Sequence, residues 1–309
     1  MRYSKIAGTD LNVSRICLGT WVFGGDCWGE QDDEVSIRVV RSAVENGINF
    51  IDTAPVYGSG RAENVVGRAL SDIPGKVIIA TKLGLEQKGR SIRPNLKADF
   101  IRQEIEMSLR RLRVEAIDLY QCHWPDPATP LEETFGELCK LKEEGKVRHI
   151  GVSNFQKDIL ERAAEIAPVV SDQMPYSLFN RSIEEDLMPF CRGRAISILS
   201  YGALGGGILS GKYKEPPVVP KGDVRSFFYK YYTRPFWDKA QKTLSLLKAV
   251  AENHHAPVSQ AAISWVLRRE EVSSCIVGCR NPEQLERNIK AADWELDGAE
   301  IKAFSEELE

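Results

Sequence analysis

Eight short apolar runs, alternating with stretches of helical periodicity, constrain what this chain of 309 residues can fold into. The runs are Ile16–Leu18, Phe50–Asp52, Val77–Thr81, Ile117–Cys122, His149–Ser153, Ser171–Gln173, Ile196–Ser200 and Cys275–Val277. They are apolar on both faces rather than at alternate residues, the pattern of parallel strands covered by helices. Among the helical stretches, Glu34–Asn46 carries Val35, Val39 and Ala43 on one face and stops at Gly47. Asp99–Leu112 repeats Ile101, Ile105, Leu109 and Leu112, and Leu131–Glu144 ends at Gly145. Lys157–Ile166, Glu185–Arg192, Lys239–Asn253 and Gln284–Ala292 follow, with Ser259–Arg268 and Gly298–Glu307 as helices beyond the regular count. Such alternation favours a closed barrel, with an open doubly wound sheet as the alternative. The expected fold is α/β: a single (β/α)8 TIM barrel domain over residues 1–309, with extra helices and a long loop insertion at its C-terminal mouth.

A chain of this length buries roughly three quarters of its unfolded surface, so no metal or disulfide staple is needed. The net charge of −3 is made of interspersed acids and bases, which points to no nucleic-acid or membrane surface. The longest apolar runs, Val77–Ala80 and Ile196–Leu199, are too short to span a bilayer. MRYSKIAGTDLNVSR has no apolar h-region, so no secretory signal is expected. Seven cysteines are scattered without a C-x-x-C, and Cys17, Cys122 and Cys275 lie in apolar stretches. Buried thiols in a reducing cytoplasm are the expectation. Four histidines show no ligand spacing, and His254 and His255 are adjacent, about 100° apart on a helix. No metal site is expected.

One compositional shift stands out. Tyr213–Trp237 collects four prolines and the aromatic burst FFYKYYTRPFW between strand seven and its helix. Long loops at a barrel mouth tend to be functional. A lid is one reading of the segment Phe227–Trp237, and a hydrophobic plug or an oligomer contact is the other. The oligomeric state is not readable from these residues.

In a barrel, active groups gather at the C-terminal ends of the strands. The second run ends at Asp52, with Tyr57 five residues on; the third is followed by Lys82 and the fourth by His123. A phenol is a weak acid at neutral pH, and a nearby ammonium is expected to lower its pKa. Lys82 is placed to do this, with Asp52 holding the lysine and His123 orienting a substrate oxygen. Together they suit a general acid for an oxygen that gains negative charge. Taken singly, each has an ordinary explanation: a helix cap, a solvated lysine, a satisfied histidine, a packing aromatic.

The segment FIDTAPVYGSGRAENVVGRAL resembles the DTAxxYGxGxSE block of the aldo-keto reductase family, with Ala62 where Ser is commoner. IATKLG, DLYQCHWPD, GKVRHIGVSNF, DQMPYSLFNR, GILSGKY and GCRNPEQLERNI resemble successive family blocks, so the resemblance covers the chain. It is strongest to the bacterial branch, including inositol-type and general stress reductases. The resemblance implies a catalytic tetrad of Asp52, Tyr57, Lys82 and His123. It also implies NADPH/NADP bound across the barrel mouth without a Rossmann fold; Gly58-Ser59-Gly60 indeed fails the third glycine of GxGxxG. By that resemblance Thr20 and Trp21 lie near the nicotinamide, Ser153, Asn154 and Gln173 hold its carboxamide, and Tyr201 stacks on its ring. Gly202, Leu204 and Gly206 bring backbone N–H groups to the pyrophosphate, with Lys212 adding charge. Gly278, Arg280, Gln284 and Asn288 match the adenosine end, Arg280 being placed for the 2′-phosphate and Arg225 a further candidate there. Arg287 stands where many relatives carry Glu, and Cys279 near a position often Ser or Ala.

Trp21, Trp28 and Trp124 are expected to line a substrate pocket, suiting an apolar or ring-bearing aldehyde or ketone. The resemblance thus implies an NADP(H)-dependent reductase of small carbonyl compounds, with a polyol oxidised in reverse as a variant. A different reading is a cofactor-occupied regulatory subunit, as in the potassium-channel β subunits that share this fold. A Schiff-base aldolase using Lys82 is a third, opposed by an aspartate that keeps the lysine charged.

Overall fold

The computed structural model describes residues 1–73, 77–89, 91–220 and 222–308. The chain opens with an antiparallel pair, β1 (Tyr3–Lys5) and β2 (Asn12–Ser14). β3 (Ile16–Gly19) leads to α1 (Asp33–Glu45), and β4 (Phe50–Asp52) to α2 (Arg61–Leu70). β5 (Ile78–Leu83) is followed by an antiparallel hairpin, β6 (Leu85–Lys88) and β7 (Ser91–Pro94), before α3 (Ala98–Leu112). Then come β8 (Ile117–Cys122), α4 (Leu131–Glu143), β9 (Val147–Ser153), α5 (Lys157–Ile166), β10 (Val169–Pro175) and α6 (Leu187–Gly193). β11 (Ser197–Tyr201) precedes the insertion, after which α7 (Phe236–Asn253) and α8 (Val258–Leu267) lead to β12 (Val272–Gly278). α9 (Pro282–Ile289) and α10 (Gly298–Leu308) complete the chain.

The eight strands β3, β4, β5, β8, β9, β10, β11 and β12 close into a parallel barrel in chain order. Each contains or overlaps one of the eight apolar runs, so the closed form prevails over the open sheet. Ile6, Leu11 and Val13 share one buried cluster with Cys17, Phe50, Ile78, Ala80, Leu119, Leu199 and Ile276. The β1–β2 hairpin, which precedes β3, therefore plugs the N-terminal end of the barrel. A second, larger core lies between the strands and their helices.

Local signals explain some helix ends. Asp32 caps α1 by accepting the Val35 N–H, and Asp33 and Glu34 complement the dipole of its first turn. α2 has no counterpart among the helices expected from periodicity, because its start carries no side-chain cap and glycine breaks its centre. Gly67 is there for packing: a Cβ would stand 2.2 Å from the Arg111 carbonyl oxygen at the end of α3. Among the described residues, no helix is long and apolar enough to cross a membrane.

The insertion, whose Lys221 lies outside the described residues, folds across the barrel mouth. Val224 N–H donates to the Cys27 carbonyl at 2.7 Å and the Tyr232 hydroxyl to the Gly206 carbonyl at 2.7 Å. Phe228 packs edge-on against Trp21, while Tyr232 and Trp237 are buried. It is a cover and a plug at once. Its C-terminal end joins α7, which starts at Phe236 rather than at Lys239.

Candidate active site

The barrel register brings four side chains from three neighbouring strands to one level. Asp52 pairs with Ala80, and Lys82 with Gln121, so the tips of β4, β5 and β8 lie side by side. Lys82 Nζ lies 2.5 Å from Asp52 Oδ1, 3.0 Å from the Thr53 carbonyl and 3.3 Å from the Tyr57 hydroxyl. The His123 ring stands edge-on to Tyr57, with centroids 5.9 Å apart. All four residues are buried.

Burial pushes the Tyr57 phenol above its ordinary pKa, and Asp52 adds to this, outweighing the downward pull of Lys82. The expected net lowering by Lys82 is thus corrected: the lysine pulls in that direction, but desolvation of a phenolate costs more. Burial also works against the Lys82 ammonium, yet Asp52 and Tyr57 overcome it and raise the pKa. Burial, helped by the charge of Lys82, pushes the His123 imidazole well below its usual range. At neutral pH the site therefore holds a charged amine, a protonated phenol and a neutral imidazole. That set can donate a proton to an oxygen and stabilise the phenolate left behind.

A cavity of about 550 Å³ opens above these groups, within the range typical of small-molecule sites. At its floor it reaches Thr20, Trp21, Ser153, Asn154, Gln173 and Tyr201. The Tyr201 hydroxyl donates to Asn154 Oδ1 at 2.8 Å, and Ser153 Oγ donates to the Gln173 carbonyl at 2.9 Å. Gln173 gives its amide N–H to Asp52 Oδ2 at 2.7 Å. Trp21 stacks on Tyr57 with centroids 5.7 Å apart.

Toward one side the wall becomes backbone. Gly202, Gly205, Gly206 and Gly207 all have left-handed φ, and a Cβ at Gly206 would stand 2.8 Å from the Tyr229 ring. Gly202, Leu204, Gly206 and Lys212 line the cavity there, and Lys212 Nζ lies 3.7 Å from where a Gly207 Cβ would stand. A left-handed glycine turn beside an ammonium fits a pyrophosphate. Beyond it lie Gly278, Arg280, Gln284 and Asn288, with Arg287, which also reaches the cavity. The chemistry of these walls fits a nicotinamide dinucleotide. Arg280 donates to the Trp28 and Glu30 carbonyls at 2.8 and 2.5 Å, and its own N–H to Gln284 Oε1. Arg225 forms a two-bond ion pair with Asp223, which offsets its charge.

Trp28 and Trp124 line the outer part, with Leu85 and Ile92 from the β6–β7 hairpin and Phe227 to Tyr229 from the insertion. The hairpin carries no signal in periodicity, its strands being short and largely exposed. A second cavity, about 700 Å³, shares Arg225 and Phe227 to Tyr229 but reaches none of Asp52, Tyr57, Lys82 or His123. Sequence reasoning also passed over Ser259, whose hydroxyl donates to Asn288 Oδ1, and Gln121, which bonds Asp52 Oδ2 from inside the barrel. Among the described residues, no cluster of three or more His, Cys, Asp or Glu is placed to hold a metal ion.

A parallel barrel whose mouth joins a buried Asp–Lys–Tyr cluster to a left-handed glycine turn fits a class, the barrel oxidoreductases that act on carbonyl compounds. Residues 15–309 match the model of the Aldo/keto reductase family. The chain is 37% identical over 311 residues to the aldo-keto reductase YhdN of Bacillus subtilis, covering 100% of this chain and 94% of that protein. It is 32% identical over 325 residues to the NADH-specific methylglyoxal reductase of Escherichia coli, covering 100% and 99%. The structure of the glycerol dehydrogenase AKR11B4 from Gluconobacter oxydans superposes with a TM-score of 0.92 at 40% identity, covering 99% of this chain and 94% of that one. The chain belongs to the aldo/keto reductase family, oxidoreductases that use nicotinamide cofactors.

Proposed function

We propose that this protein reduces aldehydes and ketones to alcohols with NADPH, with Tyr57 as the proton donor. The observation that carries the reading is the chain of contacts from Asp52 through Lys82 to the Tyr57 hydroxyl at the cavity floor. A bound nicotinamide supplies the hydride to the carbonyl carbon. As the carbonyl oxygen gains charge, Tyr57 gives it a proton, and the Lys82 ammonium stabilises the phenolate. Asp52 keeps Lys82 charged and in place. His123, neutral, orients the same oxygen.

In this reading Thr20, Trp21, Ser153, Asn154, Gln173 and Tyr201 hold the nicotinamide end. Gly202, Leu204, Gly206 and Lys212 hold the pyrophosphate; Gly278, Arg280, Gln284 and Asn288 hold the adenosine end. A charged contact to a 2′-phosphate is worth about 1.5–3 kcal/mol, enough for a preference and not for exclusivity. Arg280 gives two of its five N–H donors to the carbonyls of Trp28 and Glu30, which limits how it can turn toward that phosphate, and the Escherichia coli relative is named NADH-specific. Trp21, Trp28 and Trp124 suit an apolar or ring-bearing substrate. Residues 1–309 form one domain, and the unpaired cysteines favour a reducing cytoplasm. The three relatives reported above are named as reductases or a dehydrogenase, which favours an enzyme over a regulatory subunit.

The test follows NADPH and NADH absorbance with a panel of aromatic and aliphatic aldehydes, in the native protein and in Tyr57→Phe. Aldehyde-dependent oxidation should fall at least about a hundredfold in the variant, the scale of a lost general acid. Turnover that survives the substitution removes Tyr57 from this role. Equal rates with NADH remove the cofactor preference.

A further inference from the structure

Two glutamines meet on the second oxygen of Asp52. Gln173 Nε2 lies 2.7 Å from Asp52 Oδ2 and 3.3 Å from Gln121 Oε1, while Gln121 Nε2 lies 3.3 Å from the same carboxylate oxygen. A carboxylate only accepts, so both amides must turn their N–H groups toward it. The amide N–H₂ of Gln173 is then committed on both sides, to Asp52 and to Gln121. Its carbonyl oxygen is left as the polar atom with which it can meet a ligand in the cavity it lines. Gln121 itself is fully buried and does not reach that cavity. Leu119, two residues earlier on β8, belongs to the apolar barrel interior, so the polar layer begins at Gln121.

We infer that Gln121 is a positioning residue, holding Asp52 Oδ2 and fixing the Gln173 amide with its carbonyl oxygen toward the cavity. It thereby ties the proton-donating group to the nicotinamide end without touching either ligand. This rests on the roles proposed above for Asp52, Lys82 and Tyr57. A carboxylate stripped of a donor is held less firmly, and a displaced Asp52 no longer keeps Lys82 set against Tyr57. Loss of Gln121 should therefore appear as a loss of kcat, together with weaker dinucleotide binding.

The experiment compares Gln121→Leu and Gln121→Glu with the native protein, using NADPH and the best aldehyde of the panel. For the leucine variant, kcat should fall roughly tenfold, with the aldehyde KM within about twofold, as expected for one charged hydrogen bond acting through Asp52. Its NADPH dissociation constant, read from tryptophan fluorescence without substrate, should rise about threefold, on the scale of one neutral hydrogen bond. The glutamate variant keeps the shape but donates only while protonated, so its rate should fall as pH rises. It decides the matter if the leucine variant does not fold. A native kcat in the leucine variant, or a glutamate variant whose rate does not fall as pH rises, overturns the inference, and an unchanged dissociation constant overturns its Gln173 half. If the native protein reduces no aldehyde, the underlying reading has failed, and the binding measurement alone tests the Gln173 contact.

Discussion

Strand β5 carries a buried charged cluster on each face, and the two are balanced differently. On the barrel side Lys82 meets Asp52, one cation for one carboxylate, within reach of the cavity. On the helix side Glu63 accepts from Thr81 Oγ1 at 2.7 Å and from Arg111 Nε at 2.6 Å, while Glu104 accepts the Gly84 N–H at 2.6 Å. The guanidinium pairs with Glu63, and Glu104 lies near that pair without an ion pair of its own. Burial, with Glu63 adding to it, raises the Glu104 pKa to about 8, so its carboxyl is protonated at neutral pH. Among the described residues, the Tyr120 hydroxyl and Arg111 Nη2 in this region are buried without hydrogen-bond partners. A buried pair facing a cavity can serve chemistry, whereas the cluster behind the strand joins β5 to α2 and α3. The same strand thus separates a reactive layer from a structural one.

The largest expected effect is in Lys82→Met, which should lower both properties at once. It leaves Asp52 as an uncompensated buried charge, costing about 3–5 kcal/mol in denaturant unfolding, and removes the cation beside Tyr57. Full stability with lost activity would break the claim that the pair also holds the fold. Arg111→Met should cost about 3 kcal/mol, at the low end of that range because its side chain is partly exposed. Its turnover per folded molecule should stay within about twofold of the native protein, since an uncoupled outer face is the point of the comparison. A large drop in turnover would mean the two faces are coupled through β5.

Glu104→Gln sharpens the contrast through pH. The folded protein holds a proton on Glu104 that the unfolded chain releases above the ordinary value of 4.5. Its contribution is complete below that value and is lost as pH rises toward about 8. Across this window native stability should decline relative to the variant by up to about 1.4 kcal/mol per pH unit. Parallel stability curves for the two proteins would show that the carboxyl is ionised in the folded state. The smallest effect belongs to the cover. Phe228→Ala loses one edge-on contact with Trp21, worth about 1 kcal/mol, and should raise KM for aromatic aldehydes about fivefold with little change in kcat.

Much of the barrel is legible in local pattern. All eight strands fall on apolar runs, because a strand buried on both faces admits few polar residues. The elements that escape are those whose reason is elsewhere in the chain. α2 is broken by Gly67, which exists for the approach of α3, and the β6–β7 hairpin is too exposed to show apolar alternation. The strand-end rule alone picks out Asp52, Tyr57, Lys82 and His123, and the structure brings them together. It says nothing of Gln121, whose polar character in an apolar run, DLYQC, was the available signal.

By itself, the order of apolar runs favoured the barrel, the strand-end residues picked out the groups at its mouth, and the resemblance of its motif blocks pointed to the family. Only the tertiary structure decided their electrical state. Tyr57 is harder to ionise than Lys82 alone suggests because its burial is set by Trp21 and the covering insertion. Arg280 and Arg225 are likewise engaged by carbonyls and a carboxylate that the motif does not contain. Strand identity is written in neighbouring residues, whereas desolvation and pairing depend on every segment that folds over a group.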